Sequence, residues 1–213
     1  EHLANRDVRT VVTTALRAAD QHPFIACSFT VHEHLVLLHR LINQTDLNPK
    51  KHGVRRYFTQ RSKLRVHPVQ DNDHDAVLEL DRRAFAPFST FWQFDAPALD
   101  EAQWATDVCH RRLIRGASGE PAGYALTGKT ASIGFIQRLA VDPLVQGQGI
   151  GSALLADALR WLSLMGTREA WVNTQPDNDR ARSLYLRYGF IEHGEGLVVL
   201  RWSKDSSTQH PTQ

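Results

Sequence analysis

Apolar residues recur along this chain at the spacings of both strands and helices, and the clearest case lies between residues 133 and 166. Residues 133 to 141 form an apolar run with several β-branched side chains, which predicts a strand at the centre of a sheet. In the segment that follows, the apolar positions share one helical face, and Gly166 is placed to end that helix. These positions are Ile150, Leu154, Leu155, Ala158, Leu159, Leu162 and Met165.

The same patterns predict strands and helices on both sides of this segment. A hairpin is expected around residues 116 to 119, and Asp73 is placed to cap a helix that ends at Phe85. Strands and helices alternate, so the expected fold class is mixed α/β, with a central mixed sheet flanked by helices. The predicted strands are residues 64 to 69, 112 to 115, 122 to 128, 170 to 174 and 197 to 202, and the predicted helices are residues 73 to 85, 98 to 106 and 178 to 188.

Composition narrows the class of protein. Of the 213 residues, 42% are hydrophobic, which is enough for a substantial core, and a net charge of +2 does not favour nucleic acid or an anionic membrane as a partner. The two cysteines, Cys27 and Cys109, lie in unrelated contexts, so we expect no disulfide framework and a reducing cytoplasmic location. No apolar run approaches the length of a membrane span. We expect a monomer or homodimer without a metal site.

The turn between the predicted central strand and its helix carries the candidate chemistry. It reads Gln146-Gly147-Gln148-Gly149-Ile150-Gly151, and glycines before a helix N-terminus favour an anion because the main chain can approach it closely. A P-loop would require a lysine, which is absent near this turn, and a dinucleotide fingerprint would require glycine where Ser152 stands. A nucleotide-dependent oxidoreductase is therefore a distant alternative. An ordinary tight turn that caps a helix is another.

Two motifs resemble one known family. The turn fits the pattern Gln/Arg-x-x-Gly-x-Gly/Ala, and a downstream segment fits N-x-x-A-x-x-L-Y-x-x-x-G-F. Both motifs resemble those of the acyl-CoA-dependent N-acetyltransferases of the GNAT superfamily, with similarity to the ribosomal-protein alanine N-acetyltransferases. The resemblance implies one acetyltransferase domain over residues 63 to 203, preceded by an N-terminal extension (1 to 45). The polar composition of the remaining segments predicts a linker (46 to 62) and a flexible tail (204 to 213). The downstream motif consists of Asn178, Ala181, Leu184, Tyr185, Gly189 and Phe190.

The resemblance also implies acetyl-CoA as the cofactor and direct transfer of its acetyl group to a primary amine, carried by a small molecule, a protein or a peptide. Asn178 would contact coenzyme A through its amide, or cap a helix. Tyr185 would be the general acid, because a phenol is protonated at neutral pH, or it would pack its helix onto the sheet. Backbone groups would bind the pyrophosphate at Gln146, Gly147, Gln148, Gly149, Ile150 and Gly151, and the pantetheine arm at Leu139, Ala140 and Val141.

The general base is not identified. Related enzymes carry a glutamate on the strand before the asparagine, and by spacing Asn173 stands there; on the central strand, Gln137 and Arg138 occupy positions where an acid would serve. A carboxamide cannot accept the proton of the amine. Asn173 and Gln137 are therefore candidates only to hold a water molecule that does so.

Residues 84 to 95, called the aromatic segment below, are the candidate acceptor site. In the superfamily this stretch lines the acceptor cleft, and aromatic rings here could hold an apolar or cationic amine while Asp95 pairs with a positive charge. The candidates are Phe85, Phe88, Trp92 and Asp95. Local core packing is the alternative for each of them.

The N-terminal segment resembles the C-terminal one at a few positions. Thr13, Phe24 and Phe29 repeat the spacing of Thr174, Tyr185 and Phe190, an apolar run follows in both, and Ser28 stands where Gly189 stands. Our hypothesis is that residues 1 to 42 are the C-terminal part of a degenerate GNAT-like unit, the alternative being an accidental match. This feature and the missing base motivate a second function, a non-catalytic acyl-CoA-binding sensor or interaction module.

Overall fold

The computed structural model describes residues 8–43, 64–88 and 90–204, so the predicted linker over 46 to 62 and most of the predicted tail over 204 to 213 lie outside the described residues. The chain divides into two compact units. The larger unit comprises residues 40–172, and the smaller unit comprises residues 1–39 together with residues 173–213.

The described residues form strands and helices in alternation. The strands are β1 (Thr10–Val12), β2 (Thr30–Leu41), β3 (Val66–Pro68), β4 (Val108–Arg115), β5 (Pro121–Thr130), β6 (Ile133–Val141), β7 (Glu169–Thr174), β8 (Ile191–Glu192) and β9 (Leu197–Ser203). The helices are α1 (His22–Ala26), α2 (His74–Phe85), α3 (Ala96–Trp104), α4 (Ile150–Leu164) and α5 (Asp179–Arg187). Short 3-10 turns precede α2, lie within the aromatic segment and precede the glycine-rich turn.

The larger unit is built on a mixed sheet in the order β7-β6-β5-β4-β3. The pairs from β3 to β6 are antiparallel, and β6 pairs with β7 in parallel. The predicted hairpin is the β4–β5 pair, and the predicted central strand is β6 with its predicted bounds. The prediction of a mixed α/β fold with a central mixed sheet flanked by helices is therefore confirmed.

Successive side chains along each strand point to opposite faces of the sheet, so a core forms on each face. On one face, Leu113, Tyr124 and Ala140 pack with residues of α2 and α3. On the other face, Ile114 and Ala125 pack with the first turns of α4. The predicted apolar face of α4 is buried from Ile150 to Leu162, whereas Met165, beyond the end of the helix, is 39% exposed.

Strand β6 has two irregularities that matter for the site. Its parallel ladder with β7 covers residues 133 to 135 and ends at the pair Phe135–Trp171, although β6 runs on to Val141. Its ladder with β5 contains a bulge, because Leu126 pairs with Arg138 and the next residue of β5 pairs with Ile136. The extra residue is Gln137, and a bulge of this kind places two consecutive side chains on the same face of the sheet.

The start of α2 differs from the prediction in one detail. Asp73 precedes the helix, but its carboxylate makes no cap bond to α2. It accepts a hydrogen bond from the Gln70 N–H at 2.9 Å and pairs with Arg115 of β4 at 2.6 Å. Burial alone would raise the pKa of Asp73, but these two partners together bring it below its ordinary value. Asp73 therefore fixes the chain upstream of the helix and ties it to the sheet.

The smaller unit pairs β9 with both β1 and β2, all antiparallel, and β8 with β2. After α1 the chain turns sharply at Ser28, whose φ of 65° lies in the left-handed region. The Phe29 N–H then donates to the Phe24 carbonyl at 3.1 Å, and the two phenyl rings pack edge to face with centroids 5.5 Å apart.

The turn after α5 has the same construction. Gly189 has a φ of 79°, as a glycine that ends a helix is expected to have. The Phe190 N–H donates to the Tyr185 carbonyl at 3.1 Å, and the two rings pack edge to face with centroids 5.6 Å apart. The turns after α1 and α5 thus share a left-handed residue, a hydrogen bond and a ring contact at matching positions.

Candidate active site

The glycine-rich turn adopts the geometry that an anion site requires. Gly147 and Gly149 have φ angles of 80° and 88°, in the left-handed region where glycine is favoured. Gly149 is the N-cap of α4, and the first bond of the helix runs from the Ala153 N–H to the Gly149 carbonyl at 2.9 Å. The positive end of the α4 dipole therefore lies at Ile150 and Gly151, as a diphosphate requires.

Side-chain contacts hold this turn to the elements around it. The Gln146 amide donates to the carbonyl of Val141 at 3.2 Å, which ties the turn to the end of β6. Asp142 accepts from the Leu144 N–H at 3.0 Å and pairs with Arg83 of α2 at 2.8 Å. These contacts position the turn before any ligand binds, which reduces the entropy lost on binding.

The last residues of β6 have apolar side chains, and their main-chain groups lie beyond the part of the strand that pairs with β7. Leu139 and Val141 pack beside the first turns of α4, and Ala140 packs in the core beneath α2 and α3. Beyond Phe135 the ladder with β7 has ended, while β6 continues for six residues to Val141. This geometry fits an extended amide-bearing ligand such as pantetheine, because the strand could pair with it by main-chain hydrogen bonds.

The aromatic segment places the four predicted acceptor residues in different surroundings. Asp95 caps α3, since its carboxylate accepts from the Ala98 N–H at 2.8 Å. The Phe85 ring lies against a guanidinium group described below, and Trp92 is half-buried with its ring edge to face against a neighbouring phenylalanine. Phe88 is 36% exposed, which leaves part of its ring available to a ligand.

A buried ion pair that was not predicted from the sequence lies beneath this segment. Asp81 of α2 is fully buried, and its two carboxylate oxygens accept from Nε and Nη2 of Arg138 at 2.7 and 2.6 Å. The Tyr124 hydroxyl donates to the same carboxylate at 2.5 Å. Burial raises the pKa of Tyr124 well above its ordinary value, so this hydroxyl stays protonated and keeps donating.

The ion pair also binds the main chain of the aromatic segment. The Phe94 N–H donates to Asp81 at 2.8 Å, and Arg138 donates to the Trp92 carbonyl. The guanidinium carbon lies 3.5 Å from the ring centroid of Phe85 and 4.0 Å from that of Phe94. Two signals in the sequence could have indicated this cluster: Asp81 falls on the apolar face of α2, and Arg138 interrupts the apolar run of β6.

The Gln137 side chain is engaged on the same face. Its amide nitrogen donates to the Ala102 carbonyl in α3 at 2.8 Å, and its oxygen accepts a weak bond from the Cys109 thiol at 3.8 Å. Burial raises the pKa of the Cys109 thiol, which keeps it protonated at neutral pH. Gln137 therefore links β6 to α3, and the water-holding role predicted for it would compete with these contacts.

In the smaller unit, the three predicted site residues have distinct positions. Asn178 caps α5, since its side-chain oxygen accepts from the Ala181 N–H at 3.1 Å. Tyr185 is 4% exposed, and its ring packs against Phe190. Asn173, near the end of β7, is exposed. The capping role weighed for Asn178 is thus present, and its amide nitrogen is still available as a donor for a ligand.

A small cavity lies in the larger unit, between β4, β5 and the helices α2 and α3. It has a volume of about 190 Å³, and its walls include Tyr124, Leu126, Arg111 and His74. That space equals roughly six water molecules, which is too small for coenzyme A. Among residues 8–43, 64–88 and 90–204 there is no cluster of His, Cys, Asp or Glu that could hold a metal ion, and no helix long and apolar enough to cross a membrane.

Comparison with known proteins shows the family to which the chain belongs. The chain matches the Acetyltransferase (GNAT) family over residues 75–190, a range that includes the aromatic segment, β6, the glycine-rich turn and α4. The match covers more than half of the chain, so the protein belongs to the GNAT acetyltransferase family. The resemblance drawn from the two sequence motifs is confirmed.

Among its relatives, a mycothiol acetyltransferase from Saccharomonospora viridis is 31% identical over 133 residues, which are 57% of this chain and 44% of that protein. The chain therefore spans less than half the length of this curated relative. A solved tandem GNAT protein from the clavulanic acid biosynthesis pathway has a TM-score of 0.65 and 17% identity, covering 98% of this chain and 67% of the other. The PaiA N-acetyltransferase of Thermoplasma acidophilum, solved with coenzyme A, has a TM-score of 0.54 and 16% identity, covering 66% of this chain and 99% of the other.

Proposed function

We propose that the protein is an acetyl-CoA-dependent N-acetyltransferase that moves the acetyl group directly to a primary amine. The observation that carries this proposal is the continuous arrangement of three parts: the end of β6 beyond its ladder with β7, the left-handed glycine turn, and the N-terminus of α4. Coenzyme A joins an extended pantetheine arm to a diphosphate. The arm matches the strand, and the diphosphate matches the turn and the helix N-terminus that follow it.

The residues of the larger unit would bind and orient the cofactor. Main-chain groups of Leu139, Ala140 and Val141 pair with the pantetheine arm, and the turn from Gln146 to Gly151 holds the diphosphate. Acetyl-CoA supplies the activated acetyl group when it is bound. Because the thioester would lie beside a rigid strand, positioning would supply a large part of the acceleration.

The proton transfers are assigned to residues of the smaller unit. Tyr185 would donate a proton to the departing thiolate, and Asn178 would contact the cofactor while it caps α5. Asn173, which is exposed, is a better candidate than Gln137 to hold a water that removes the proton of the amine, because Gln137 is already bonded to α3. No protein side chain is assigned as the general base.

The acceptor would bind along the aromatic segment. Phe88 and Trp92 offer ring surface, Phe85 supports the segment from below, and Asp95 contributes negative charge beside its helix cap. Because the relatives are named mycothiol acetyltransferases, the form of mycothiol that lacks its acetyl group is the first acceptor to test. The alternatives are a polyamine, a lysine side chain and a protein N-terminus.

The experiment measures acetyl transfer to each acceptor class. The protein is incubated with acetyl-CoA and one amine at a time, and the acetylated product is followed by mass spectrometry, since an acceptor with its own thiol would obscure an assay of released thiol. Product that forms only when both amine and protein are present supports the proposal. Tyr185→Phe is expected to lower kcat by about 10²-fold or more, whereas Tyr188→Phe, a change of the same kind three residues away, is expected to leave it unchanged.

The same experiment separates the second candidate function. A protein that binds coenzyme A in calorimetry but acetylates no amine in the panel would be the acyl-CoA sensor or interaction module instead. A protein that binds no coenzyme A would contradict both functions.

We further infer that residues 1 to 42 are the end of a degenerate GNAT-like unit. The matching turns after α1 and α5 support this inference, and so does the likeness of the chain to a tandem GNAT protein. We assign to this segment a packing role and no cofactor of its own. We also propose that the protein works in the cytoplasm, as a monomer or homodimer.

A further inference from the structure

The bulge in β6 directs two neighbouring polar side chains to one face of the sheet. Gln137 bonds the carbonyl of Ala102 in α3, and Arg138 bonds Asp81 in α2 and the Trp92 carbonyl in the aromatic segment. Three consecutive parts of the chain, α2, the aromatic segment and α3, are therefore attached to one point on β6. That point immediately precedes Leu139, the first residue assigned to the pantetheine arm.

Both oxygens of the Asp81 carboxylate are satisfied by hydrogen bonds. The Asp81 oxygens accept two bonds from Arg138, one from the Tyr124 hydroxyl and one from the Phe94 N–H. The side chains of Asp81 and Arg138 are 0% and 7% exposed. A buried ion pair is often no more stabilising than apolar residues of the same size, so overall stability does not explain these contacts well. What they do specify is the path of the main chain between α2 and α3.

We infer that Arg138, through its ion pair with Asp81, is a positioning residue that fixes the aromatic segment at a set distance from the acyl-binding end of β6. The inference rests on the proposed acetyl transfer, because it concerns where the acceptor amine lies relative to the thioester. A planar guanidinium suits this task, since its donors reach the carboxylate and the Trp92 carbonyl at once while its faces pack on Phe85 and Phe94.

The test replaces the whole ion pair, because removing one partner would leave a buried charge and threaten folding. In the double variant Asp81→Leu/Arg138→Met, apolar side chains of similar size fill the same space. Hydrogen–deuterium exchange of peptides covering residues 86 to 95 is expected to become roughly tenfold faster, since the Phe94 amide loses its acceptor. Affinity for coenzyme A is expected to stay within about twofold, because the glycine turn is untouched.

Kinetics supply the second measurement. For the best acceptor in the amine panel, kcat/KM is expected to fall by about 10- to 100-fold while the KM for acetyl-CoA is unchanged, since a displacement of about 1 Å can cost that much. Arg138→Lys keeps the charge but loses the planar fork, so an intermediate loss is expected. This single variant also provides a readout if the double variant does not fold.

The matched control is the double variant Asp73→Leu/Arg115→Met. It removes another arginine–carboxylate pair, with a separation of 2.6 Å and a carboxylate side chain 5% exposed, at the opposite end of α2. This control is expected to leave both the exchange of residues 86 to 95 and the acceptor kinetics at wild-type values.

Each outcome decides the inference. Unchanged exchange of the aromatic segment in the folded double variant would overturn it, as would faster exchange with unchanged acceptor kinetics or an equal effect of the control. If the wild-type protein acetylates no amine, the proposed function fails. The exchange measurement then decides by itself whether Arg138 fixes the segment.

Discussion

The conformation of Gly149 allows a sharp test of the glycine turn. Its φ of 88° is unfavourable for any other residue, and Gly149→Ala is expected to lower the free energy of unfolding by about 1–2 kcal/mol. Apart from its chain neighbours, no atom of the described chain lies within 4 Å of the added methyl group, so the protein itself offers no clash. If the strained turn relaxes, the amides at the start of α4 move away from the diphosphate. Each lost bond to a charged group costs about 1.5–3 kcal/mol, so affinity for coenzyme A is expected to fall by roughly 10- to 100-fold.

The β4–β5 hairpin offers a matched control for this variant. Gly119 has the same φ of 88°, and a methyl group there would likewise meet no described atom within 4 Å. Gly119→Ala should therefore cost a similar free energy of unfolding and leave coenzyme A binding unchanged. Urea unfolding measures the first quantity and isothermal titration calorimetry the second. The placement of the diphosphate would be refuted if both variants bound coenzyme A as the wild type does, or if both lost the same affinity.

Three further predictions concern the larger unit and the thiols. Asp73→Asn is expected to lower the free energy of unfolding at pH 7 by about 1–2 kcal/mol. Two hydrogen-bonding partners outweigh burial and lower the folded pKa of Asp73 below 3.8. The difference should therefore vanish as the pH falls through that folded pKa, which urea titrations at a series of pH values from 7 downward would show. Cys27 is exposed, whereas Cys109 is half-buried and burial raises the pKa of its thiol, so Ellman's reagent should modify Cys27 quickly and Cys109 much more slowly. Cys27→Ser should remove the fast phase. Gly123→Ala would place a methyl group 2.5 Å from the Ile150 side chain, so a loss of about 1–3 kcal/mol in urea unfolding is expected, and wild-type stability would contradict the close packing of α4 on β5.

Local patterns in the sequence were sufficient to predict the main elements of the site. The apolar run of β6, the buried face of α4 and the glycine at the end of α5 each follow from spacing within one segment. The Asp95 cap could also have been read locally, because an aspartate followed by Ala-Pro is typical of a helix start.

Contacts between distant segments could not be predicted in this way. Asp81 and Arg138 are 57 positions apart, and only the fold brings them together. The bulge at Gln137 depends on how β5 and β6 pair, which no property of either strand alone determines. The two residues of β6 that break its apolar pattern turned out to be those that attach the strand to α2, α3 and the aromatic segment.

The early end of the β6–β7 ladder has a consequence for what can enter there. An unpaired strand at the border of a sheet can recruit another protein strand and so promote aggregation. Here the unpaired part of β6 follows directly on residues that pair with β7, since that ladder ends at the Phe135–Trp171 pair. A ladder that ends in this way admits a slender chain beyond it but obstructs a full β-strand, which needs about 4.8 Å of spacing on each side and room for side chains. The cofactor arm proposed to lie along β6 is of the slender kind, so the short ladder leaves room for it where a whole strand would meet β7.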